Sequence, residues 1–180
     1  LAAQESGNRT FIIKTSAAGT LIWAKCFQGL GTTNPRGIAV DANENVYLTG
    51  TFSETVDFNP GSGTFELTSV SNFDMYMAKL DASGNFVWAK KINAGSFVSP
   101  NKVAIDINGN PVFVGYFSGA CDFNPNTGAT SLTGSSNSFI LKLDASGNFV
   151  YVKHFAATSS NSILSIQIDA AGDMFLGGYY

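Results

Sequence analysis

The residue types best suited to chemistry sit in one short motif that occurs twice, as Asp57-Phe58-Asn59-Pro60 and as Asp122-Phe123-Asn124-Pro125. A carboxylate at the first position and an amide oxygen at the third, Asp57 with Asn59 and Asp122 with Asn124, match the opening of a calcium loop. The second half of such a loop is missing, because the place of the bidentate Glu is taken by Thr68 or Thr133. Any calcium binding expected here is therefore weak, of the extracellular-module kind. The competing reading is a rigid Pro-bearing turn in which Asp and Asn bond backbone amides and the Phe plugs the core. One histidine and two cysteines exclude a multi-histidine metal site, a four-cysteine zinc site and a disulfide-dense scaffold. No Gly-x-Ser-x-Gly elbow accompanies the many serines, so a serine nucleophile has no setting.

The elements that carry these residues are repeated. Phe11 to Lys25 returns as Met75 to Lys90 and as Phe139 to Lys153; Ile38 to Gly50 returns as Val103 to Gly115 and as Ile166 to Gly178. Gly19, Gly84 and Gly147 are spaced by 65 and 63 residues, as are Asp41, Asp106 and Asp169, giving a period of about 64. Within a period the apolar runs are short, rich in Val, Ile, Phe, Tyr and Trp, and bounded by Gly, Asn, Asp and Ser, which reads as strands and tight turns. The segments Asp81-Ala82-Ser83-Gly84-Asn85 and Asp41-Ala42-Asn43-Glu44-Asn45 suit hairpins, with Asp bonding the backbone ahead of it. Four strands follow for the first whole unit: 37–41, 46–52, 73–81 and 86–92. Runs such as Ile38-Ala39-Val40 are apolar on both faces, so each small sheet should be covered on both sides. A four-stranded sheet stacked between copies of itself is a propeller blade. The expected fold is all-β, a β-propeller in the form of a partial ring.

Residues 35–50 followed by 75–88 resemble the bacterial beta-propeller repeat called SBBP, and the first hairpin is also similar to NHL repeats. The likeness recurs over nearly all of 9–179. It implies a large, secreted or surface-exposed bacterial protein, and it supplies no catalytic residues. The Asp-Phe-Asn-Pro insertion between second and third strands departs from the usual repeat. With the first strand innermost, as the NHL likeness implies, the chain divides into a leader at 1–8, an outer half-blade at 9–29, blades at 37–92 and 102–155, and an inner half-blade at 164–180. Three blades' worth falls below the usual 4 to 8. The chain is thus expected to be part of a longer protein or a ring-forming protomer, its open ends completed by further blades or by head-to-tail association. Leu1-Ala2-Ala3-Gln4 reads either as the tail of a signal peptide or as a plain leader.

Repetition also separates scaffold from candidate site. Asp41, Asp106, Asp169, Asp81 and Asp144 recur at turns, and Trp23, Trp88 and Tyr151 share one position that suits blade packing better than carbohydrate stacking. His154 replaces Cys26 and Lys91 on an outer strand and is expected at the surface. Sequence gives no means of pairing Cys26 with Cys121. The non-recurring Arg36, Glu54, Glu66 and Asp74 are the candidate binding residues, placed in variable loops.

Only 13% of residues are charged and the net charge is -3, with a pI of about 4.9. No basic patch is available to neutralise phosphates, which excludes a nucleic-acid partner. No apolar run approaches the ~20 residues of a spanning helix. The expectation is a secreted or cell-surface scaffold that binds a protein or glycan partner without catalysis and without a required cofactor. The alternatives are a polysaccharide-active enzyme with carboxylates at the propeller mouth and an architectural spacer of a large adhesin.

Overall fold

A computed structural model describes residues 7–156 and 160–180. The 1–4 segment read as signal tail or leader lies outside the described residues. Fifteen strands and no helix occur among those described. The first complete blade is β4 (Thr33–Val40), β5 (Val46–Phe52), β8 (Asp74–Leu80) and β9 (Phe86–Ile92), hydrogen-bonded in that order. The second is β10 (Phe97–Ile105), β11 (Pro111–Asp122), β12 (Ser131–Leu143) and β13 (Phe149–Phe155). Two hairpins flank them, β1 (Phe11–Thr15) with β2 (Leu21–Cys26), and β14 (Ser162–Ile168) with β15 (Met174–Tyr179). All pairs are antiparallel. A small extra sheet, β3 (Gln28–Gly29), β6 (Thr55–Asp57) and β7 (Glu66–Thr68), rides on the first blade.

The tight turns form for one local reason. Asp41 Oδ1 accepts the amides of Asn43 and Asn45, both at 2.9 Å, and Asp81, Asp106, Asp144 and Asp169 repeat the arrangement. Each such turn needs one left-handed residue. Gly84, Gly109 and Gly147 supply it at φ 75, 79 and 82°, whereas Glu44 is forced to φ 62° at the corresponding place.

The inner strands start earlier than the sequence reading of 37 and 102. β4 passes through Pro35 and β10 through Pro100, because a bulge at Arg36 and at Asn101 lets each proline pair with Gly50 or Gly115 and the ladder resume beyond it.

Period-2 alternation then builds the core between sheets rather than within one layer. Val46 and Leu48 face the β1–β2 hairpin together with Ile12 and Tyr76, while Tyr47 and Met77 face the second blade with Val103, Phe113 and Phe139. Val112, Val114 and Ile140 repeat the forward-facing role against Ile163 and Ile166 of the last hairpin. Blade-to-blade polar bonds obey the same period. Trp23 Nε1 donates to Ala82 O at 3.1 Å, and Trp88 Nε1 to Ala145 O at 3.2 Å. The indoles lie against Gly84 and Gly147, where an added Cβ would stand 3.2 and 3.1 Å from the ring. Lys79 Nζ also reaches Ala145 O, at 3.1 Å, and sits 4.9 Å above the Tyr47 ring.

Candidate functional site

In an antiparallel four-stranded blade the turns joining strands one to two and three to four share one end, and the long second-to-third connection lies at the other. The innermost strands β4, β10 and β14 lie against one another in that order, so the turns that follow them converge about the axis. There they line a cavity of about 460 Å³. Its wall comprises the last residues of the three strands, Val40, Ile105 and Ile168, the three turn aspartates, and the variable residues beside them, Ala42 with Asn43, Ile107 with Asn108, and Ala170.

Asp41 and Asp106 are not free acids. Burial opposes ionisation of Asp106, but the Lys142 ammonium at 2.8 Å and hydrogen bonds from Asn110 and Asn108 outweigh it and hold the carboxyl below its ordinary range. Asp41 is lowered in the same way, burial being outweighed by bonds from Asn45 and Asn43. Tyr47 closes the turn region by donating to the Gly109 carbonyl at 3.0 Å across the blade junction, and burial pushes its hydroxyl pKa up. What remains for a ligand is an apolar, amide-rimmed recess with some negative charge. Two apolar side chains of the wall, Ile107 and Val40, are exposed.

The candidate binding residues lie elsewhere. Glu54 and Glu66 are exposed at the long-connection end, Glu54 at φ 56° ahead of β6 and Glu66 in β7 opposite Asp57. Arg36 is a correction: it stands in strand β4, at the bulge, not in a loop. Its counterpart Asn101 ties blades together, donating to Ser162 Oγ at 2.9 Å and Ile163 O at 2.8 Å. Asp74 is a second correction. It is fully buried, with Oδ1 accepting from Ser71 Oγ and the Ala94 amide and Oδ2 from the Val70 amide, so it is a structural knot closed to partners. None of the four lines the axial cavity.

At the two Asp-Phe-Asn-Pro motifs one carboxylate oxygen of each Asp and the amide oxygen of each Asn are engaged. Asp57 Oδ1 accepts the amides of Asn59 and Phe65, and Asp122 Oδ1 those of Asn124 and Thr130. Asn59 and Asn124 accept from Gly61 and Asn126. Phe58 and Phe123 are fully buried, each packed on further aromatic rings. This geometry is that of the rigid turn. No group of three or more His, Cys, Asp or Glu side chains able to hold a metal stands together among the described residues. Cys26 and Cys121 are free thiols, and burial raises the pKa of Cys121.

Sheets of four antiparallel strands, stacked face to face with their first strands convergent, define the class: a β-propeller repeat protein. Residues 22–51 match the family described as SBBP, Beta-propeller repeat, and this stretch of the chain is a repeat of that family. The matched stretch runs from β2 through most of β5, and so covers the join between one blade's outer strand and the next blade's inner pair. The chain is also 36% identical over 114 residues, 62% of its length, to a protein of Acanthamoeba polyphaga mimivirus described as an uncharacterized WD repeat-containing protein. It spans 8% of that relative's length. No helix among the described residues is long and apolar enough to cross a membrane.

The sequence reading missed the axial cavity because it assigned recurring turns to scaffold. The available signal was the variable residue after each recurring Asp, namely Ala42, Ile107 and Ala170.

Proposed function

We propose that this repeat scaffold is secreted or displayed at a cell surface and binds a protein partner at the axial end, without catalysis. The observation that carries this reading is the 460 Å³ recess, in which a rigid frame of recurring Asp turns presents side chains that differ from blade to blade. Between a protein and a glycan, the lining favours a projecting protein loop with an apolar or cationic tip. Val40, Ile105, Ile107 and Ile168 offer apolar contact, and no aromatic ring is present for a sugar to stack on. The low charge of 13% supports an extracellular surface that relies on Ser, Thr, Asn and Gly for solubility.

The enzyme reading has less behind it. It needs two carboxylates about 5 to 9 Å apart beside a cleft. Of the non-recurring carboxylates among the described residues, Asp74 is buried, Glu44 pairs with Lys14, Glu54 and Glu66 lie at the end away from the cavity, and Asp173 stands in the Asp169 turn outside the cavity wall.

The test is selection of a displayed peptide library on the wild-type chain and on an Ile107→Asp, Asn108→Ala variant of equal melting temperature. Peptides enriched on the wild type and lost on the variant support the axial site. Peptides held equally by both overturn it, and release of reducing ends from a polysaccharide panel would install the enzyme instead.

A further inference from the structure

Five Asp turns among the described residues share one frame and differ in where they sit. In each, Oδ1 of the Asp accepts the main-chain amides two and four places on. In four of them the fourth residue on is an Asn whose Nδ2 also donates to the Asp Oδ2, at 2.8 to 3.0 Å. The residue two places on gives the frame its main-chain amide alone. At the outer turns that residue is Ser83 or Ser146, whereas at the axial turns of the two whole blades it is Asn43 and Asn108. Both asparagines are exposed, and both line the axial recess. Among the described residues neither carboxamide has a hydrogen-bond partner.

The carboxylates of the same two turns are already engaged. Asp41 Oδ2 accepts from Asn45 Nδ2 at 2.8 Å and from the Tyr47 hydroxyl at 3.3 Å, and Asp106 Oδ2 from Asn110 Nδ2 at 3.0 Å and the Lys142 ammonium at 2.8 Å. A cationic ligand would have to displace these bonds. Asp169 is the exception, because Asp173 stands where the other turns carry Asn and brings no amide to its Oδ2. On the side of the whole blades the wall offers apolar surface instead, from Val40, Ile105 and Ile107. A carboxamide carries two donors and an acceptor without net charge. That set matches a peptide group, with its one donor and one acceptor, and does not select an ion.

We infer that Asn43 and Asn108 are the specificity pair of the axial site: their carboxamides bond main-chain groups of the partner's loop, and the tip of that loop is an uncharged apolar side chain seated against Val40, Ile105 and Ile107. The inference deepens the axial-site reading and rests on it. It draws only on turns of the two whole blades, each built from its own four strands. The two kinds of group read different things. The apolar wall selects the side chain through the area it removes from water. The carboxamides select the register of the loop, since a main-chain group buried out of register and left unpaired costs more than a paired one gains.

The probe is a displayed library of constrained peptide loops selected on the wild-type chain, followed by titration of the enriched loops as synthetic peptides. Loops with Leu, Ile, Val or Met at the tip should dominate. Asn43→Ala with Asn108→Ala should weaken them about tenfold or more, through the loss of two hydrogen bonds. Alanine suits the frame, because Ala171 holds the same place in the third turn and donates its amide to Asp169 Oδ1 at 2.9 Å, so melting should match the wild type. Exchanging the amide beside the tip for an ester, which removes its donor, should weaken binding to the wild type and cost the alanine variant several-fold less. Binding lost by Ile107→Asp alone yet kept by Asn43→Ala with Asn108→Ala overturns the carboxamide pair and leaves the axial site standing. Dominance of loops with Lys or Arg tips overturns the apolar tip. Loops held equally by every variant, or no enriched loop at all, overturn the axial site and this inference with it.

Discussion

Val103 and Ile38 occupy one position of the repeat, on the innermost strand, facing the blade before. Val103 meets a complete blade and joins the largest core cluster, while Ile38 meets only the third and fourth strands of one and stays open. The side chains are nearly the same and the local turns are the same. Burial in this protein is thus conferred by the neighbouring unit and not by the sequence of the unit itself. That is the behaviour of a one-dimensional stack, in which stability is a sum of unit and junction contributions. The comparison extends to the Trp positions. Trp88 stands between two complete blades, Trp23 between a hairpin and a blade, and Tyr151 faces a hairpin with no outer turn, where its hydroxyl finds only Met174 Sδ at 3.9 Å.

The comparison can be broken most directly by placing a charge at each position. Val103→Asp should cost about 4 kcal/mol or more, by burying an unpaired carboxylate. Ile38→Asp should change the stability of the single chain by less than about 0.5 kcal/mol. Equal losses in urea melts would show that the two positions do not differ as described. Next in size, Trp88→Ala should cost about 3 to 5 kcal/mol, and Trp23→Ala about half of that, through lost burial and the cavity left behind. An unchanged denaturant midpoint for Trp88→Ala, with partner binding lost instead, would move this ring from the junction to the site.

The turns of the two whole blades give a shared pH dependence. At Asp81 the backbone bond from Asn85 lowers the pKa against burial, and at Asp144 bonds from Asn148 do the same, so the folded values lie below the ordinary 3.8. Asp106 behaves likewise through Lys142. A carboxyl with a depressed folded pKa stabilises the fold above its unfolded pKa and stops doing so as pH falls through the folded value. The urea midpoint should therefore be nearly flat from neutrality to about pH 5 and drop below 3.8. A midpoint that rises on acidification contradicts the turn chemistry. Smaller still, Glu44→Gly should gain about 0.5 to 1 kcal/mol by relieving the left-handed backbone at a turn where other units carry Gly. A loss there would mean that the Lys14 ion pair outweighs the strain. Last, millimolar calcium should leave the melting temperature where chelator leaves it, since a site filled at 100 times its dissociation constant would add about 2.7 kcal/mol and several degrees. A rise abolished by Asp57→Ala with Asp122→Ala would restore the metal reading.

The hairpins were legible because a turn that needs Asp to bond amides and Gly for positive φ leaves a fixed signature, and its recurrence every 65 or 63 residues set the blade. The strand starts, placed at 37 and 102, were less so, since a proline is tolerated within a ladder only at an edge or a bulge and the bulges beside Pro35 and Pro100 leave no signature in the sequence. The β3–β6–β7 sheet escaped because strands of two or three residues carry no period. Asp74 misled because a non-recurring acid reads as exposed. Its counterpart Asn137 is also a buried polar residue, so the position was polar twice in succession. The axial cavity depends on the convergence of three turns distant in sequence; the varying residue after each recurring Asp marks those turns but not their convergence.

The central claim, that identical repeat positions are closed inside the stack and open at its ends, is tested most directly by hydrogen exchange resolved along the chain at a dilution where it is monomeric. The account predicts slow exchange through β5, β8, β11 and β12, each paired on both sides, and exchange many-fold faster at the outward amides of β1 and β15, each paired on one side only. Equal protection of β1 and β15 with the inner strands in the dilute monomer would contradict it, because those two edges would then have to be satisfied within one chain.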